Sequence, residues 1–93
     1  MSIAKIDPEI FNRLRQLLVE LTGNDIDEVV PDADLEEDLG LNLDVDLTRI
    51  VERINQEFEI HLHEKAVYQE LTEEAHASVA ELAKLVYDEY ELG

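Results

Sequence analysis

Carboxylates are the reactive groups this chain holds in abundance, so their spacing sets the first question. The 93 residues include 24 acidic and 7 basic side chains, a formal net charge of −17. Between Gln16 and Thr48 there is no Lys or Arg. Eleven acids fall in that stretch: Glu20, Asp25, Asp27, Glu28, Asp32, Asp34, Glu36, Glu37, Asp38, Asp44 and Asp46. Such a stretch serves either as solvated surface or as a docking face for basic patches on a partner. Calcium is the ion to test. Asn42, Asp44 and Asp46 begin like an EF-hand loop, which needs Gly at its sixth position and a bidentate Glu at its twelfth. Leu47 and Arg53 stand there instead, and the frame starting at Asp32 puts Glu37 and Leu43 in those places. His61 and His63 share a face of an extended segment and have only His76 as a third partner. A structural zinc site takes four ligands, so no metal site is expected.

Covalent catalysis fares no better. There is no Cys, and the two serines, Ser2 and Ser78, lie outside any nucleophile-elbow pattern. No glycine-rich phosphate loop is present. Carboxylate pairs without a pocket are no evidence of acid–base chemistry. The chain is therefore not expected to be an enzyme, and no catalytic residue is assigned.

The elements that would position these acids are helical. Asp7-Pro8-Glu9 reads as a helix start, with Asp7 as cap and Pro8 in the first turn. Ile10, Leu14, Leu17, Leu18 and Leu21 then form one apolar face, and Gly23 or Asn24 closes the helix after Thr22. Residues 23–43 make a long connection that carries Ile26, Val29, Val30, Leu35, Leu39, Leu41 and Leu43. Those apolar positions predict a loop packed against the helices, with one turn at Asp34–Asp38 closed by Gly40. A second helix starts near Leu43 or Asp44, capped by Asn42 or Asp44. Its apolar face is Leu47, Ile50, Val51, Ile54 and Phe58, with Arg49, Glu52, Arg53 and Gln56 toward solvent. Glu59–His63 reads as extended or loop. A short helix of one to two turns fits Glu64–Leu71 and would bury Ala66, Val67 and Leu71. The last helix is expected to begin at Thr72 as cap and to bury Val79, Leu82 and Val86 beside Ala75, Ala83 and Leu85. Fraying is expected from Glu91.

Composition bounds the rest. Ninety-three residues make one domain, taken as residues 1–93. Leu, Ile, Val and Phe supply 31 residues, too many for a disordered acidic chain. The charge would repel nucleic acid and anionic membranes. No apolar run is long enough to span a bilayer, and the N-terminus does not read as a signal peptide. A cytoplasmic monomer is the expectation.

The helix order and several local sequences resemble the acyl carrier protein family over nearly the whole chain. Ile26-Asp27-Glu28-Val29-Val30-Pro31 is similar to the segment after the family's first helix. Asp34-Leu35-Glu36-Glu37-Asp38-Leu39-Gly40 resembles its F-x-x-D-L-G stretch, with Leu35 for the aromatic. Ile50 to Leu62 resembles its second helix and the EEEFGIEIP exit. Ser78-Val79-Ala80-Glu81-Leu82 is similar to its last helix. The resemblance implies an all-α four-helix bundle: three main helices, one short helix and a long ordered loop after the first.

The family carries its acyl chains on 4′-phosphopantetheine, esterified to a serine in a D-S-L motif at the start of helix two. That serine is missing here. Counting back from Phe58, its position falls on Asp44; counting forward from Gly40, it falls on Leu43, as if one residue were inserted. The nearest hydroxyl is Thr48, one turn into the helix. No phosphopantetheine is therefore expected on this chain, and Asp44 reads equally well as a helix N-cap. The resemblance implies protein partners with basic patches, met by Asp38, Asp44, Asp46 and Glu52, with Val45 as the apolar contact. Arg49, Asn55 and Gln56 replace acids of the family's exposed face. The reading is a non-enzymatic interaction module. The alternative is a working acyl or peptidyl carrier in fatty-acid, polyketide or related biosynthesis, with an unorthodox attachment site.

Overall fold

The computed structural model describes residues 7–73 and 77–92. Among the described residues four helices, α1 (Pro8–Thr22), α2 (Leu43–Phe58), α3 (Glu64–Glu73) and α4 (Val79–Leu92), enclose one apolar core, and a 3₁₀ turn (Ile26–Glu28) lies in the connection after α1. No strand is present among the described residues; Asp34 and Ser78 make an isolated antiparallel bridge. The all-helical bundle is the expected one.

Capping chemistry sets the helix ends. Asp7 accepts from the backbone N–H groups of Glu9 (2.9 Å) and Ile10 (3.2 Å), satisfying donors that no carbonyl within α1 can reach. Gly23 closes the helix at φ 77, where a Cβ would be strained, and donates to the Val19 carbonyl. Ile10, Leu14, Leu17 and Leu18 are buried, as the spacing predicts.

The loop between α1 and α2 packs as expected. Val29, Ala33, Leu35, Leu39 and Leu41 are buried, whereas Ile26 stays 43% exposed. A turn at Asp34–Asp38 closes at Gly40, whose φ is 78. The loop also does work at the far side of the bundle. The N–H groups of Val79 and Ala80 donate to the carbonyls of Ala33 (3.0 Å) and Pro31 (2.8 Å), and Leu35 N–H donates to the Ala77 carbonyl (2.8 Å). Loop backbone thus satisfies the free donors at the start of α4.

Four expectations need correction. Asn42, not Asp44, caps α2: its side chain accepts from Asp44 N–H at 2.9 Å, and Asp44 lies inside the first turn. Thr72 does not begin the last helix. It sits in α3, its hydroxyl turned back to the Tyr68 carbonyl at 2.8 Å, so α3 is a full ten residues long. The cap of α4 is Ser78, which accepts from Glu81 N–H at 3.2 Å, and α4 continues to Leu92 without a break at Glu91. Ala66 is exposed, because Val67 and Leu71, four apart, form the narrow stripe by which α3 meets the core. Ala75 lies outside the described residues.

Candidate docking site at the start of α2

The site lies where the acidic loop delivers the chain into α2, and most of its carboxylates have backbone duties. Asp34 Oδ1 accepts from the N–H groups of Glu36 and Glu37, both at 2.8 Å. Asp38 Oδ2 accepts from Asp34 N–H at 2.8 Å, so the two aspartates close the turn reciprocally. Glu36 Oε2 takes Leu43 N–H at 3.1 Å, and Asp46 Oδ2 takes Asn42 N–H at 3.0 Å. Four acids therefore hold the loop and the helix start together. Acidic side chains also favour the positive end of a helix, and Asp44 and Asp46 both lie in that first turn.

The five residues assigned to partner binding divide accordingly. Asp38 is exposed but tied to its turn. Asp46 is half-buried, and its second oxygen pairs with Arg49 at 2.9 Å. Asp44, Val45 and Glu52 are exposed, Val45 to 71%. Asp44 and Val45 sit side by side on the first turn; Glu52 lies two turns further on. Asn55 and Arg53, read as solvent-facing, are half-buried. Asn55 brackets Leu62, accepting its N–H at 2.8 Å and donating to its carbonyl at 3.2 Å, which shapes the α2–α3 connection. Arg53 reaches Glu20 of α1 at 2.9 Å.

Two residues of α3 enter the site that the sequence reading did not select. Tyr68 Oη donates to Asp44 Oδ1 at 2.8 Å, and Thr48 Oγ1 donates to Glu64 Oε2 at 2.7 Å. The Asp44 hydrogen bond and charge, with a smaller push from burial and from Glu36, raise the Tyr68 phenol above its ordinary value of 10.0. Nothing in the periodicity of α3 marks these contacts, because both residues lie on its exposed side. His61 and His63 are exposed, and no group of three or more metal-ligating side chains occurs among the described residues. His76 lies outside them.

A family model described as phosphopantetheine attachment site matches residues 12–86. The chain belongs to that family. No solved structure matches it. The match runs from within α1 to Val86 in α4 and so includes the start of α2, where the resemblance described above places the attachment serine. The residues there do not fit an ordinary serine ester. Leu43, the first residue after the cap, is buried and aliphatic. Asp44 offers a carboxylate that already accepts from Tyr68. The first hydroxyl along α2 is that of Thr48, and it is given to Glu64. Among the described residues, no helix is long and apolar enough to cross a membrane.

Proposed function

We propose that this chain is a docking module of the phosphopantetheine attachment family that bears no prosthetic group. One observation carries the reading: the first turn of α2 presents Asp44 and Val45 to solvent, while Leu43 is buried and no residue of that turn has a hydroxyl. A phosphodiester needs an oxygen nucleophile that is free to attack, and a carboxylate would give a labile mixed anhydride instead. What the turn does offer is a charged and apolar pair suited to a basic protein surface. Asp44, Val45 and Glu52 make the contact, and Asp38 and Asp46 shape the loop and add charge. Association through such a surface is fast and weakens with salt.

Intact-mass measurement tests the reading. After incubation with coenzyme A and a phosphopantetheinyl transferase, the mass should stay unchanged while a conventional carrier in the same tube is converted. A gain of one phosphopantetheine by this chain would refute the proposal and establish the carrier alternative.

A further inference from the structure

Away from the start of α2, the face shared by α1 and α2 holds its charges in two cross-helix pairs. The Arg13 guanidinium reaches the Glu57 carboxylate at 3.4 Å and the Glu57 carbonyl at 2.6 Å. Arg53 reaches the Glu20 carboxylate at 2.9 Å. The lower number on α1 meets the higher number on α2, so the two helices run antiparallel here. Arg13 and Glu20 are about two turns apart on α1, and Arg53 and Glu57 about one turn apart on α2. Signs therefore alternate along each helix and across the pair. Face-on, these residues form a two-by-two checkerboard of charge around a shallow groove, with Asn12 and Gln16 exposed beside it and Leu17 buried beneath.

A checkerboard is complementary to itself. A twofold axis lying in the face, either across the helices or along them, sets every positive corner over a negative one. The crosswise axis puts Arg53 over Glu57 of a second copy and Arg13 over its Glu20. The lengthwise axis exchanges those two partners. Each of the charged side chains keeps 33% or more of its surface open to solvent, and exposed ion pairs contribute little to the fold of one chain. A second copy would give each charge a second opposite neighbour. The described charges lining the groove also sum to zero, in a chain of net charge −17. A second copy is repelled least by a neutral face. A partner surface of one sign would instead meet two like charges whichever way it lay.

We propose that the α1–α2 face is the interface of a closed, twofold dimer of this chain. It uses none of the residues assigned to docking above, so it stands or falls independently of that reading.

Sedimentation velocity of the full chain tests it, at ~0.15 M salt, where charges more than about 8 Å apart are screened, and at chain concentrations up to ~1 mM. A dimer is expected. Arg53→Glu should weaken it about ten-fold or more, because like charges then face each other twice. Lys65→Glu changes the net charge equally but lies on α3, and should leave the dimer unchanged. Mixing Arg53→Glu with Glu57→Arg should restore association if the axis runs crosswise, and mixing it with Glu20→Arg if it runs lengthwise. Circular dichroism checks that each variant keeps its helices, and damage to the fold could not produce recovery on mixing. A parent that stays monomeric throughout, a dimer indifferent to Arg53→Glu, or failure of both mixtures overturns the proposal.

Discussion

Replacing Asn42 and Asp44 one at a time separates the residue that builds the start of α2 from the residue it displays. The Asn42 side chain accepts Asp44 N–H at 2.9 Å, and the Asn42 backbone N–H is itself held by Asp46 at 3.0 Å. Asn42→Ala removes the first bond and leaves a helix donor to water. The loss of a cap of this kind costs ~1 kcal/mol, within a range of about 0.5–2. Asp44→Asn leaves the cap intact. It forfeits a favourable charge at the helix N-terminus, about 0.3–1 kcal/mol, but relieves repulsion in a chain of net charge −17. Its net effect should lie within about 0.5 kcal/mol of zero, as for most surface substitutions. Urea unfolding followed by far-ultraviolet circular dichroism measures both. With a slope of about 1–3 kcal/mol/M, the Asn42→Ala midpoint should fall by roughly 0.3–1 M. If Asp44→Asn falls by that amount and Asn42→Ala does not, Asp44 is the cap and this account of the helix start is wrong.

Two further outcomes follow from local geometry. Glu59 ends α2 in the left-handed region at φ 56, where a side chain is strained. Glu59→Gly should raise stability by about 1 kcal/mol, seen as a higher thermal midpoint; a lower one would contradict the strain. The Tyr68 phenol should ionise above 10.0, by ultraviolet difference titration, and Asp44→Asn should bring it back toward that value. Because the folded phenol binds its proton more tightly than the unfolded one, its contribution to stability is full below pH 10 and lost as pH rises through the folded value. An unshifted phenol in the parent would mean the Asp44–Tyr68 bond is not formed in solution.

The first two helices were legible because their signals are local. Asp7-Pro8-Glu9 is a start signal, Gly23 a stop signal, and the apolar spacing between them has a helical period. The α3–α4 junction misled because a threonine followed by two glutamates looks like a start signal. In the structure Thr72 bonds back to the Tyr68 carbonyl and belongs to the end of α3. Ser78-Val79-Ala80-Glu81 was the better start signal, and the loop carbonyls of Pro31 and Ala33 reinforce it by accepting from Ala80 and Val79. That reinforcement spans more than forty positions of sequence, beyond any local pattern. The site divides in the same way. The exposed positions of Asp44 and Val45 follow from the α2 pattern. Tyr68 and Glu64 join them only because α3 packs antiparallel to α2.

The same geometry changes what the charge means. A docking surface counted from composition would include every acid of the loop. In the structure Asp34, Glu36, Asp38 and Asp46 each accept a backbone N–H, so neutralising any of them loosens the loop while it removes a charge. Loss of binding in such a variant would say nothing about electrostatics. Glu52 has an exposed carboxylate and no part in these caps, and among the described residues the Asp44 carboxylate is joined to an exposed phenol alone. Those two can be neutralised with the fold preserved. If charge steers the partner, Asp44→Asn and Glu52→Gln must slow association and flatten its salt dependence, with dissociation less affected. The substitutions at 34, 36, 38 and 46 will instead register as instability of the turn that carries α2.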